Sequence, residues 1–325
     1  MSKRALVTGG AGFIGSHVAD LYIERGYSVT VLDNFASGTR ANVPAKAELV
    51  EGDITSPDAA RLVREGGFDA ISHLAAQIDV RKSVTDPAYD ATVNIGGTLN
   101  LLEAVRQSGR ATRFIFSSTG GAIYGDFVTP PNVEDYPKDP ESPYGIAKLG
   151  AELYMAYYAR VHGLDTVALR YANVYGPRQN PHGEAGVVAI FCDRILSGQP
   201  LTVFGQGKLT RDYVYVGDVA RANLAAAERP LPKAGRLDTR AFNVGTGVET
   251  TVERLARILM QAGNTEVPLN PQPSRPGEQQ RSAVKIDRAA EVLGWKPEVD
   301  IETGLRRTFE FFAARRAGAA AGASA

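Results

Sequence analysis

"RALVTGGAGFIG", Arg4 to Gly15, decides the fold. "RALVT" reads as a short buried strand, and "FIGSHVADLYIERG" after it has a helical pattern. Between them Gly9, Gly12 and Gly15 stand in a G-x-x-G-x-x-G spacing, one residue wider at the first gap than the common dinucleotide fingerprint. A dinucleotide pyrophosphate needs backbone N–H groups at close range and a helix N-terminus behind them. A Cβ at these positions would obstruct the turn, the approach or the packing of helix on strand. A tight turn without a ligand is the alternative, and the strand before and helix after weigh against it.

The same alternation continues outward. "SVTVLD" ends at Asp33, "AELVEGD" ends at Asp53, and "FDAISHLAA", "RFIFSS" and "LDTVALR" are further strands separated by helix patterns. Strand and helix in regular alternation predict an α/β fold, a Rossmann-like parallel sheet covered by helices on both faces. After about Tyr175 the segments shorten and turn-rich loops appear. Residues 1–176 are therefore read as a dinucleotide-binding domain, and 177–312 mostly as a smaller mixed substrate lobe with some segments returning to the sheet. The Ala/Gly/Ser-rich end, 313–325, is read as a flexible tail.

Composition sets outer limits. The 325 residues contain 36 Lys plus Arg against 36 Asp plus Glu, so no global basic field exists to draw in nucleic acid or an acidic membrane. Cys192 is the single cysteine, which excludes an intrachain disulfide and favours a reducing cytoplasm. No apolar run is long enough to span a bilayer, and "MSKRALVTGG" lacks a signal-peptide apolar region. No metal is expected.

Asp33, at the end of the second strand, is placed to accept both adenosine ribose hydroxyls and to repel a 2′-phosphate, which favours NAD. Arg40 nearby keeps NADP open as a minor option. In "SPYGIAKLGAELYMAYYARVHG", Ser142 is an N-cap and Pro143 the first helical residue. Tyr144 and Lys148 then share one helix face. An ammonium near a phenol lowers the phenol's pKa and suits it to acid–base work on an alcohol. The isolated pair is a weak signal. Tyr154, Tyr157 and Tyr158 on the same helix read as packing residues.

"TGGAGFIG", "LDN", "GDI", "HLAA", "SST", "YGIAK" and "LRYANVYGP", in that order, resemble the NAD-dependent epimerase/dehydratase family of extended short-chain dehydrogenase/reductases. The match is most similar to the UDP-glucose 4-epimerase branch and covers roughly Lys3 to Phe312. The resemblance implies a sheet of about seven strands and a C-terminal nucleotide-sugar lobe. It implies that Phe13 and Ile14 meet the pyrophosphate, that Asp33, Asn34, Ser37 and Gly38 lie on the adenosine ribose side, and that Asp53 and Ile54 flank adenine. Leu74, Ala75 and Ala76 would line the cofactor channel, Asn94 and Ser117 would sit near the nicotinamide, and Tyr171 would close over the cofactor. Tyr144 and Lys148 would hold the nicotinamide ribose and move the proton.

For the substrate, the resemblance implies Asn173, Arg211 and Arg275 at the diphosphate, Glu278 at the ribose, Thr202, Val203 and Phe204 in the segment that holds the uracil, and Val187 as a further substrate-binding residue. Guanidinium suits phosphate and carboxylate suits vicinal hydroxyls. Ser282 falls where some epimerases carry a bulky tyrosine, so room for an N-acetyl group is expected. Two departures stand out. Ile78 replaces a lysine that many members carry, and the serine stretch is one residue longer than "SSSATVYG". The catalytic hydroxyl is therefore open between Thr119 and Ser118, with Thr119 favoured.

Gly120 and Gly121 narrow the reaction. Dehydratases of the family place an Asp-Glu pair directly after the hydroxyl, and neither glycine can act as acid or base. The expected activity is 4-epimerisation of UDP-glucose and UDP-galactose through a transient 4-keto sugar, and of the N-acetylated pair too. A UDP-glucuronate epimerase or decarboxylase, a 4,6-dehydratase and a non-catalytic NAD-binding protein are the alternatives, in falling order. Family members usually pair through two helices per subunit into a four-helix bundle, so a homodimer through Val93–Gln107 and Pro143–Val161 is expected.

Overall fold

The computed structural model describes residues 2–181, 186–274 and 279–322. β1 (Arg4–Thr8) runs through the glycine loop into α1 (Phe13–Glu24), followed by β2 (Ser28–Asp33), β3 (Glu48–Glu51), α2 (Pro57–Glu65) and β4 (Ala70–His73). Next come α3 (Val80–Thr85), α4 (Pro87–Ala91) and α5 (Gly97–Ser108), with a π-turn over Thr92–Gly96 joining the last two. β5 (Arg113–Thr119), a long loop, α6 (Pro143–His162) and β6 (Asp165–Tyr171) complete the first half.

The second half begins with β7 (Asn173–Tyr175), α7 (Val187–Leu196), β8 (Leu201–Val203), β9 (Thr210–Tyr215) and α8 (Val216–Glu228). β10 (Ala241–Val244), β11 (Glu249–Thr251), α9 (Val252–Ala262), β12 (Leu269–Pro271), β13 (Arg281–Ser282) and α10 (Ile301–Gly322) follow. α10 carries its helix into the Ala-rich stretch that composition reads as tail.

The main sheet is ordered β10-β6-β5-β4-β1-β2-β3, and every neighbouring pair in it is parallel. The order reverses beside β1, and such a reversal opens a crevice at the carboxyl ends of the strands. Thr8, Asp33, His73 and Thr119 all end their strands there. One face of the sheet buries Leu6, Phe114 and Phe116 against Leu101 of α5 and Met155 of α6. The other buries Ile115 and Val167 against Val219 of α8, and Val7 and Val31 against Val18 of α1. β10 returns from the second half to the sheet edge, pairing Phe242 with Leu169.

The remaining segments form a separate apolar core. Phe191, Leu255, Leu259, Leu305 and Phe309 bring α7, α9 and α10 together there. β9 links this lobe to the crevice, with β7, β11 and β13 as its partners.

Candidate active site

The glycine loop is built around backbone contact. Gly9 is left-handed (φ 70°), and a Cβ on it would lie 2.7 Å from the Ala75 nitrogen. A Cβ on Gly15 would overlap the Gly9 carbonyl, so α1 can seat only with glycine there. Gly12 caps α1 without a side chain, and the first helical amides, Phe13 and Ile14 among them, have no intrahelical acceptor. An anion is drawn to such a terminus.

Asp33 is buried beside the loop. Its Oδ2 accepts from Ala11 N at 2.9 Å and its Oδ1 from Phe35 N at 2.8 Å. Each oxygen keeps a lone pair for a hydroxyl. Asn34 Nδ2 donates to Asp53 Oδ2 at 2.8 Å. Burial works against the charge of Asp53, yet hydrogen bonds from Thr55 and Asn34 outweigh it and hold the carboxyl below its ordinary range. Ile54 is buried in the core rather than open to the crevice. Ser37 is exposed, and Gly38 packs on Ala11. Arg40 is engaged by Glu51 and lies 4.5 Å from the Phe35 ring centroid, which commits the cation on which the NADP option depended.

Leu74, Ala75 and Ala76 are half-buried after β4. His73 fixes this end of the sheet. Thr98 gives its proton to Asn94 O at 2.7 Å, so it accepts from His73 Nε2 at 3.0 Å. Nδ1 then accepts from Thr8 Oγ1 at 2.7 Å. Burial, with Lys148 nearby, pushes the imidazole down to about 3, so it stays neutral.

The alternation along β5 sends the two candidate hydroxyls to opposite faces of the strand. Ser118 shares the face of Phe114 and Phe116, and its Oγ donates to the buried Glu152 Oε1 of α6. Glu152 pairs in turn with Arg170, which is fully buried. Ser118 is thereby removed from the crevice. Ser117 lies on the Ile115 face and meets the Tyr171 hydroxyl, which also accepts from Asn223 Nδ2 at 2.8 Å. Tyr171 is 5% exposed, its phenol pushed up to about 12 by burial, and it packs in the core on the Ile115 face of the sheet.

Thr119 ends the strand half-buried. A Cβ built on Gly121 would stand 3.9 Å from each of Thr119 Oγ1, Asn173 Oδ1 and Ser282 Oγ. Three side chains from β5, β7 and β13 thus meet at one polar spot, with no side chain from position 121. Ser282 reaches it from β13, in register with Arg211 of β9. The Arg211 guanidinium donates to Thr210 O at 2.8 Å and has no carboxylate partner among the described residues.

α6 begins as its sequence predicts. Ser142 Oγ accepts from Gly145 N at 3.2 Å, and Pro143 occupies the first turn. Lys148 is 3% exposed; its Nζ donates to Ser117 O at 2.9 Å and lies 4.7 Å from the Phe116 centroid. Burial lowers its pKa to about 8 against the opposing charges of Asp90 and Glu152. The expectation for Tyr144 is corrected. Burial, followed by the negative charge of Asp90, raises its phenol above the ordinary value. Lys148 lies 5.8 Å from its ring centroid and does not reverse that.

Other residues fall differently from expectation. Both donors of Asn94 Nδ2 are spent, on Gln77 O and Asp90 Oδ1, each at 3.0 Å, and its Oδ1 accepts from Gln77 N at 3.1 Å. Val203 points into the core of the second lobe, while Thr202 and Phe204 flank it half-buried, and Val187 packs on that same core. Arg275 and Glu278 lie outside the described residues. Tyr154 and Tyr157 are each 44% exposed, with Tyr157 edge-on to Tyr158 and His162, and Tyr158 packs on the main core. Sequence reading missed Gln77, Asp90, Glu152 and Asn223, the buried polar residues behind the site. Asp90 and Asn94 do carry a signal, since their four-residue spacing puts them on one helical face.

A family profile described as GDP-mannose 4,6 dehydratase matches residues 6–308. The chain belongs to the NAD-dependent epimerase/dehydratase family. It is 44% identical to the UDP-glucose 4-epimerase of Mycolicibacterium smegmatis, over 95% of this chain and 98% of that one. A Thermotoga maritima UDP-glucose 4-epimerase structure with UDP-glucose superposes with a TM-score of 0.91, at 46% identity over 96% of this chain and 99% of that one. The Thermus thermophilus UDP-glucose 4-epimerase in complex with NAD superposes at 0.87, with 43% identity over 95% and 99%. The chain's own residues fit NAD. The glycine cradle admits a pyrophosphate where any Cβ would fill it, and Asp33 offers acceptor oxygens where a ribose diol would lie.

Proposed function

We propose that the chain is a UDP-hexose 4-epimerase that interconverts UDP-glucose and UDP-galactose, with the N-acetylated pair as further substrates, through a transient 4-keto sugar. The observation that carries this reading is the spot at Gly121. Thr119, Asn173 and Ser282 converge there on a position that offers neither acid nor base. Elimination of water requires both groups, so oxidation followed by re-reduction is the chemistry that remains.

NAD, when bound, would supply a hydride acceptor and a positive charge. The rest falls to the chain. Gly9, Gly12 and Gly15 with the amides of Phe13 and Ile14 hold the pyrophosphate, and Asp33 holds the ribose. Tyr144 takes the proton of the sugar 4-hydroxyl at its phenolic oxygen and returns it. Its raised pKa means that, in the polypeptide alone, this oxygen keeps its proton at neutral pH. Lys148 stands by as the cation, held by Ser117 O. Thr119 orients the sugar oxygen, and Arg211 and Asn173 receive the diphosphate. Ser282 leaves space beside the sugar.

The exposed stripe on α6 supports a homodimer. Ile146, Leu153, Tyr154, Tyr157 and Val161 recur at helical spacing and are 44–59% exposed. A second copy presenting the same helix with α5 would cover them as a four-helix bundle.

The deciding experiment is an assay of the purified protein on a panel of UDP-sugars, with bound NAD quantified. Interconversion of UDP-glucose and UDP-galactose, abolished by Tyr144→Phe with NAD retained, is expected. Bound NAD with no interconversion of any UDP-hexose 4-epimers would overturn the reading.

A further inference from the structure

Asp90 on α4 is 1% exposed. Its Oδ1 accepts from Gln77 Nε2 at 2.9 Å and Asn94 Nδ2 at 3.0 Å. Its Oδ2 is buried and has no hydrogen-bond partner among the described residues. Two neutral amides on one oxygen do not compensate a buried carboxylate; an opposed positive charge does. The π-turn Thr92–Gly96 directly follows α4 and carries Asn94, which Gln77 N and Asp90 hold in place. α4 packs against α6, whose Lys148 is also buried, with Ser117 O as the acceptor for one of its three donors.

The neighbouring charges leave these two for each other. Glu152, one turn beyond Lys148, is committed to Arg170 and Ser118. Arg170 is shared further with Asp238. His73, facing Lys148 from β4, is neutral. α3 packs against both α4 and α6 and carries Arg81 and Lys82, of which Lys82 lies over the Tyr89 ring. Tyr144 also stands beside the pair, and the charge of Asp90 bears on both Tyr144 and Lys148.

We infer that Asp90 is a positioning residue of the reaction: its unpartnered buried carboxylate is the counter-charge that keeps Lys148 an ammonium and sets how many protons the Tyr144–Lys148 pair holds. It acts through that pair, and the inference rests on the reading of Tyr144 and Lys148 given above. In a low-dielectric interior one such charge shifts both neighbours together.

Asp90→Asn separates charge from shape. The asparagine oxygen still accepts from Gln77 and Asn94, while the negative charge is gone. Both limbs of the kcat–pH profile should then move toward acid by about one unit, since the charge raises both groups in the wild type. A brace without an electrostatic role would lower kcat and leave the limbs where they are. The second readout is stability in denaturant. Lys148→Met leaves Asp90 without a counter-charge and lowers the unfolding midpoint, and adding Asp90→Asn should recover part of the loss. Asp90→Asn that folds only together with Lys148→Met reports the same pairing. Unmoved limbs, additive midpoints, or failure of both single and double variants to fold each overturn the inference. Retained turnover in Tyr144→Phe would instead overturn the reading of the pair, and the midpoints would still decide whether Asp90 and Lys148 are coupled.

Discussion

Ser118 gives its hydroxyl proton to Glu152, on the face of β5 opposite Ser117. Adjacent hydroxyls on one strand therefore belong to different parts of the molecule. Ser118 belongs to the buried ionic cluster with Arg170, and Thr119 to the crevice. Ser118→Ala should cost about 1–3 kcal/mol of stability, because a buried carboxylate loses a donor, and leave kcat near wild type. Thr119→Ala should keep stability within about 0.5–1 kcal/mol and lose about 100-fold or more in kcat, as expected for a hydroxyl aimed at the reacting oxygen. Unfolding midpoints and steady-state rates on the two variants check both. A larger rate loss in Ser118→Ala than in Thr119→Ala would reverse the assignment.

Asp33 serves the fold, since its two oxygens hold the Ala11 and Phe35 amides, and on the proposed reading the same oxygens take the cofactor ribose. Asn at 33 can accept from only one of them and turns its NH2 on the other. The expected result is about 1–3 kcal/mol of lost stability with at least about tenfold weaker NAD binding. Calorimetric titration of apoprotein with NAD reads the second effect. Addition of NAD should raise the melting temperature of the wild type more than that of the variant.

Lys148 makes stability rise with pH, as carboxylates with a lowered pKa do, but in an alkaline window. An unfolded lysine keeps its proton to about 10.4, whereas in the folded chain it loses it at about 8. Between those values the unfolded state binds the extra proton, so raising the pH favours the folded state. This group alone contributes a rise of about 1.4 kcal/mol per pH unit in that window. Lys148→Met should lack the rise. Urea unfolding of both proteins between pH 8 and 9.5 tests it, and parallel curves would count against a depressed Lys148.

The exposed α6 stripe should report the assembly. Leu153→Glu with Tyr157→Glu places two charges on a surface that is 44–52% exposed in the single chain, so folding should be nearly unaffected. Light scattering should give a dimer for the wild type and a monomer for the double variant. A monomeric wild type would remove the four-helix bundle from consideration.

Much of this was legible in the sequence. The strand–glycine–helix unit, the alternation that follows it and the Ser142-Pro143 start of α6 are local patterns, and the structure follows them closely. The face of β5 on which Ser118 lies was legible too, because Phe114, Phe116 and Ser118 share the parity of one strand face. The direction of the Tyr144 shift was not. It depends first on burial and then on Asp90, brought up by α4, neither of which local spacing reveals. The Ser118–Glu152–Arg170 cluster likewise joins β5, α6 and β6 only through tertiary packing.

Ser282 offers the test of sugar specificity. It is 5% exposed on β13, with its hydroxyl beside the same spot that Thr119 and Asn173 approach. A small side chain at a closely packed position sets the free volume for whatever lies next to it, and an added aromatic ring would fill that volume. An N-acetyl group adds three heavy atoms in place of a hydroxyl, so it meets the ring first. Ser282→Tyr should therefore lose the UDP-N-acetylhexosamine activity by about 100-fold or more while UDP-glucose turnover falls by less than about tenfold, a discrimination of the size steric exclusion gives. The ratio of kcat/KM for the two substrates is the quantity to measure, because a general loss of folding would lower both equally. An unchanged ratio would show that Ser282 does not border the sugar 2-position.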